Sequence, residues 1–169
     1  MKNINDGKTV TKYSIFIASP NDLEEERLAN DEVIKELYKT FSPHRSVLLE
    51  VLKWETDSAP GISNGSPQNL ITDDIGYEYD LFIGLLWKKF GNPTYNADSG
   101  TKEEFNNAYK KFQEENNSVQ VLFYFKNAAT KSMSEINASE LAKIENFKPV
   151  IEEKNVYYCE FDTIENLKG

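Results

Sequence analysis

Asp80-Leu81-Phe82-Ile83-Gly84-Leu85-Leu86-Trp87 is the stretch on which the fold turns. After its leading carboxylate it is almost unbroken apolar, without the alternation of a half-exposed strand, and so predicts a strand buried on both faces at the centre of a parallel sheet. Such a sheet needs a covering layer on each side. Upstream, residues 1–11 read as a flexible polar lead, and Tyr13 to Ala18 as a first strand closing at Ser19-Pro20. A helix follows, capped by Asn21 or Asp22, with Glu24, Glu25 and Glu26 in the turn where the helix dipole favours negative charge. Its inward stripe is Leu23, Arg27, Asn30, Ile34 and Leu37, ending near Phe41; Arg27 there either snorkels over apolar surface or pairs with a carboxylate. Val47 to Trp54 reads as a second strand, 58–67 as a Gly/Pro/Ser loop of the kind that carries function, and Gln68 to Tyr77 as a short helix.

Downstream, Lys88 to Pro93 turns the chain toward another helix. Val119 to Phe125 is a fourth strand, Lys126 to Asn137 is irregular, Ser139 to Glu153 is helical, and Val156 to Phe161 is a fifth strand. Strands alternating with helices predict an α/β, three-layer flavodoxin-like parallel sheet of about five strands, helices on both faces. Residues 12–169 form one domain on this reading. Glu165 to Gly169 looks like one more helix beginning, as expected of the N-terminal domain of a longer protein.

Composition narrows the chemistry. A net charge of -9 opposes a nucleic-acid partner, since phosphate backbones need a concentrated cationic face. The single Cys159 and single His44 leave no disulfide and no zinc set. His44, in the loop beside Pro43, lies at the wrong end of strand two for a general base. An N-terminus without an apolar core and the lack of any run near roughly 20 apolar residues predict a cytoplasmic chain without membrane partner. There is no G-x-G-x-x-G and no Walker lysine loop, so neither a dinucleotide cofactor site nor ATP hydrolysis is expected.

The segment Asp98-Ser99-Gly100-Thr101-Lys102-Glu103-Glu104 carries the candidate chemistry. Thr101 with Glu104 three residues on is a capping-box pattern, and Phe105, Ala108, Tyr109 and Phe112 then give the helix one buried face. At about 100° per residue Glu103 points away from that stripe and Glu104 flanks it, so Glu104 is the one expected to look into a cleft. Two roles are open to Glu104: the cap itself, or a carboxylate at the sheet mouth supporting an oxocarbenium-like centre as a glycosidic bond breaks. Parallel sheets bind ligands outside the carboxyl ends of their strands, where Trp54, Trp87, Phe90, Asp98 and Thr101 are substrate-contact candidates. Trp54 and Trp87 either stack on a heteroaromatic ring or are half-buried core, and Phe90 is a similar candidate; Asp98 either bonds a ribose hydroxyl or serves the turn. Lys88 and Lys89 either meet a pyrophosphate or form a solvated pair.

Residues 98–108, DSGTKEEFNNA, resemble the D-x-G-T-x-x-E…A segment of nucleoside 2-deoxyribosyltransferases, in which the Glu acts on the sugar C1. More of the chain, YSIFIASPNDLEEER with YDLFIGLLWKKFG and SGTKEEF over about residues 12–126, resembles the TIR-like domain of unknown function found in front of NACHT and related regulatory NTPases. TIR-type enzymes are similar in layout and cleave NAD at the nicotinamide ribosyl bond. The resemblance implies a TIR-like NAD glycohydrolase in immune or anti-phage defence with Glu104 catalytic and Ser19 beside the substrate, NAD being substrate and no cofactor required. It also implies self-association through TIR-like surfaces, with loop 58–67 assembling or gating, and a C-terminal NTPase or sensor domain. TIR enzymes commonly place a small residue and Trp or Cys before the Glu, where this chain has Gly100-Thr101-Lys102-Glu103, which fits the transferase pattern better and admits a deoxyribosyltransferase or another nucleotide N-glycosidase. A non-enzymatic TIR-like interaction module is the alternative of another class.

Overall fold

The structure, a computed structural model, describes residues 10–52, 79–91, 97, 99–114 and 119–168, the side chains of 21 and 41–45 excepted. Its elements are β1 (Thr11–Ala18), a 3-10 turn (Asn21–Leu23) running into α1 (Glu24–Arg45), β2 (Val47–Leu52), β3 (Leu81–Leu86), α2 (Gly100–Glu114), β4 (Gln120–Lys126), a 3-10 turn (Met133–Glu135), α3 (Ala138–Glu153), β5 (Tyr158–Phe161) and α4 (Ile164–Lys168). The sheet has five strands in the order β2-β1-β3-β4-β5, every neighbouring pair parallel. This is the three-layer flavodoxin-like architecture expected, with the apolar stretch as its central strand. Trp54, Asp98, loop 58–67 and the short helix at 68–77 lie outside the described residues.

Alternation along β3 divides the core in two. Phe82 and Leu86 share one face with Phe16, Phe123 and Phe125, and there meet Phe105 and Ala108 of α2 and Ile144, Phe147 and Ile151 of α3. Ile83 and Leu85 face the other way with Ile15 and Ile17, against Leu23, Ile34 of α1 and Leu167 of α4. At the amino end of β3, Asp80 binds Ser14 twice, its amide donating to the Ser14 carbonyl and its Oδ2 accepting from the Ser14 amide. That extends the β1/β3 ladder by one residue and fixes its register.

Several boundaries differ from expectation. Strand one starts at Thr11, so the polar lead is shorter, and strand five starts at Tyr158. Helix α1 continues past Phe41 to Arg45 and stops at Ser46, which adopts the left-handed conformation (φ 50°, ψ 47°). His44 therefore lies in the last helical turn and not in a loop. The cap position of α1 falls on Leu23 and not on Asn21 or Asp22, and the Asp22 carboxylate is engaged across the sheet edge. The α1 stripe also shifts: Leu37 is exposed, while Glu26, Ala29 and Asp31 are buried. Among the described residues no helix is long and apolar enough to cross a membrane.

Candidate functional site

In the order β2-β1-β3-β4-β5 the connections leave in opposite directions on either side of the β1/β3 pair, and the crevice at the carboxyl ends of those strands is where open α/β sheets hold ligands. Three segments meet there. The β1 loop brings Ser19, Pro20 and Asp22, the β3 loop Lys88 to Gly91, and α2 its amino terminus. Gly91 has φ +101°, and a Cβ placed on it would lie 3.4 Å from the Ser99 Cβ and 3.8 Å from the Pro20 Cγ. The start of α2 is thus lodged against both loops.

Helix α2 begins two residues earlier than its capping-box pattern suggests. Ser99 is the cap: its Oγ accepts from the Lys102 amide at 3.1 Å, and its carbonyl accepts from the Glu103 amide at 3.0 Å. Thr101, expected as the cap, instead lies in the first turn and is buried. Glu104 accordingly sits in the second turn, half-buried. Glu103, expected to face away from the core, is only 5% exposed. The apolar stripe of α2 marks one covered side, whereas in the first turn Thr101 and Glu103 are buried as well.

The β3 loop is gripped by two carboxylates whose importance the sequence did not signal. Asp22 Oδ2 accepts from the amides of Lys88 (3.3 Å) and Lys89 (3.2 Å), and Glu140 Oε2, in the first turn of α3, accepts from the amide of Phe90 at 2.7 Å. Burial raises the Asp22 pKa, the two amides only partly offsetting it. Burial pushes Glu140 the same way, but the Phe90 amide, the Lys143 ammonium and the Gly91 amide outweigh it and hold its pKa below the ordinary value. Ser19 Oγ and Asp22 Oδ1 are buried without a hydrogen-bond partner among the described residues, so the β1 loop carries two unsatisfied polar atoms at the crevice.

The remaining candidates separate. Phe90 is a correction: its ring is 2% exposed and lies edge-on to Phe147 at 5.6 Å, a core contact that leaves no face for a ligand. Trp87 is half-buried, its Nε1 donates to the Ala128 carbonyl at 3.0 Å, and the Lys126 and Lys88 ammonium groups lie 4.1 and 4.4 Å from its ring centroid. Lys88 is not a solvated partner of Lys89, since it pairs with Glu135 at 2.8 Å. Trp87 and Lys88 line a cleft of about 270 Å³ at the carboxyl ends of β3, β4 and β5, with Phe125, Lys126, Ile144 and Lys148. Neither Ser19 nor Glu104 lines it.

A search of curated proteins finds no match. Among solved structures, the crystal structure of a conserved protein from Enterococcus faecalis V583 aligns with a TM-score of 0.41 and 16% identity over 95% of this chain and 96% of that one, too distant a likeness to carry an argument. The family described as "Domain of unknown function (DUF4062)" matches residues 14–169, from the first strand through the last helix, and the chain belongs to that family.

Proposed function

We propose that the chain is a TIR-like enzyme that hydrolyses the N-glycosidic bond of NAD or a related nucleotide, with Glu104 stabilising the ribosyl cation as nicotinamide leaves. The observation that supports this reading is the seating of the α2 amino terminus on the β1 and β3 loops, which brings the Glu103-Glu104 pair to the edge of the sheet where ligands bind. An oxocarbenium-like transition state is stabilised by a carboxylate placed beside it. Water then adds to C1 of the ribosyl cation and loses a proton, giving ADP-ribose and nicotinamide. Ser19, with its unsatisfied hydroxyl, is the candidate for a sugar contact on the β1 loop. Self-association, a linked sensor domain and a role in defence accompany this reading through the TIR resemblance.

The experiment follows nicotinamide release from NAD by chromatography, using concentrated protein with and without an agent that drives clustering. Glu104→Gln is expected to abolish release while the far-UV spectrum is unchanged, and Glu103→Gln to retain it. If Glu103→Gln is the inactive variant, the catalytic carboxylate is the buried one; turnover in both variants ends the assignment of the reaction to this pair, and no release by the unmodified chain under either condition ends the enzymatic reading. A second reading is an interaction module without turnover. It predicts no nicotinamide release under either condition.

A further inference from the structure

Strand β5 is the outer strand on one side of the sheet, and its pairing with β4 shows which of its backbone groups face out. The Phe161 carbonyl accepts from the Asn127 amide at 2.7 Å, so Phe161, and by alternation Cys159, turn their amides and carbonyls toward β4. Tyr158 and Glu160 turn theirs outward, and among the described residues no backbone group pairs with them there. Open edges are ordinarily defended by a charge, a proline or a bulge. The sequence of β5, Tyr158-Cys159-Glu160-Phe161, pairs with β4 residue for residue without a bulge and contains no proline. Its one charge, Glu160, is already neutralised by Lys148 at 3.0 Å.

The face that β4 and β5 share with α1 and α4 is also uncovered toward the amino ends of the two strands. Phe161 is packed there with Leu167, whereas Cys159 is exposed, Tyr157 is 92% exposed and Leu122, which the register places beside Tyr157, is 39% exposed. A second copy of the chain fits this edge, and charge selects how. Antiparallel pairing sets outward residues opposite outward residues. A two-fold axis at Glu160 stacks the two glutamates on each other, which is destabilising, and an axis at Tyr158 carries Glu160 past the end of the other strand. An axis at Cys159 sets each Tyr158 opposite the Glu160 of the second copy, so that every outward amide and carbonyl is bonded and the glutamates stay apart. Cys159 then meets its own copy in a close, non-hydrogen-bonded pair, and Tyr157 lies diagonal to the Cys159 of the second copy, within reach of an aromatic side chain.

We propose that β5 is a homodimerisation edge, at which two copies of the chain join antiparallel about a two-fold axis at Cys159 to form one continuous sheet. The pairing does not rest on the glycosidase reading. With only four residues in the strand, the dimer is a weak one.

Sedimentation equilibrium of the full chain under reducing conditions is expected to show a monomer–dimer equilibrium with a dissociation constant on the order of tens of micromolar. Glu160→Pro removes an outward amide without touching the bonds to β4 and should abolish the dimer, whereas Glu160→Gln keeps the amide and should retain it. Cys159→Lys replaces a side chain that is exposed in the monomer, sets two ammonium groups face to face, and should weaken association at least about tenfold. Because Cys159 is the only cysteine, diamide should link the dimer through a disulfide at that position, and should link Glu160→Pro far more slowly. The proposal is overturned by a chain that stays monomeric up to about 1 mM, by a dimer that either Glu160→Pro or Cys159→Lys leaves unchanged, by loss of the dimer in Glu160→Gln, or by a dimer that diamide fails to link.

Discussion

At Gly84, in the middle of the central strand, the lack of a side chain is what admits the Phe123 ring to the backbone of β3. An added Cβ would come within 2.3 Å of Phe123 Cε2. The ring cannot step aside, since it lies 5.1 to 5.7 Å from Phe125, Phe147 and Phe105. Gly84→Ala is therefore expected to destabilise the fold by about 1–3 kcal/mol, the usual cost of overpacking. In urea unfolding, Gly84→Ala combined with Phe123→Leu should lose less than the sum of the two single changes, because the shorter side chain makes room. Additive losses would show that Gly84 is needed for some other reason. The same scale separates Glu103 from Glu104: neighbouring and chemically identical, they differ in burial only because of what surrounds α2, which no residue-level pattern contains.

Among the elements, the β3 loop is held from two sides, by Asp22 from the β1 loop and by Glu140 from α3, and the two carboxylates have opposite linkage to pH. Burial raises the Asp22 pKa above 3.8, so the folded state binds that proton more tightly than the unfolded chain, and the stability Asp22 contributes falls as pH rises through its raised value. The Glu140 pKa is below 4.5 despite burial, because the loop amides and Lys143 favour the charged form. Its contribution is present above 4.5 and is lost as pH falls. In denaturant unfolding across the acidic range, the advantage of the unmodified chain over Asp22→Asn should shrink with rising pH, and its advantage over Glu140→Gln should grow. Parallel slopes for the two variants would refute the clamp. The local signal for the start of α2 misled by two residues, because Ser99 and Thr101 are both competent caps and the contact of Ser99 with Gly91 belongs to another element.

For the whole molecule, the Glu26–Lys126 pair joins α1 to the carboxyl end of β4 across one hundred residues of chain. Glu26 is 3% exposed and Lys126 16%, so removing either partner strands a largely buried charge. Glu26→Gln or Lys126→Met alone should cost about 3–5 kcal/mol, whereas the apolar double variant Glu26→Leu/Lys126→Met should lose far less than the sum, measured as a double-mutant cycle. Additivity would mean that the two side chains do not act as a pair. Five strands, their alternation with helices and the central place of the 80–87 stretch were written in the sequence, because an unbroken apolar run must be covered on both faces wherever it lies. The two α1 glutamates at 24 and 25 could likewise be read as solvated, but not the buried one at 26. Only the tertiary structure decided that Asp22 reaches the amides of residues 66 and 67 positions away, that Glu103 is the enclosed carboxylate, and that three lysines share one cleft. Burial and hydrogen bonding of a polar group depend on segments distant in sequence that meet in space, while apolar periodicity is a property of each segment alone.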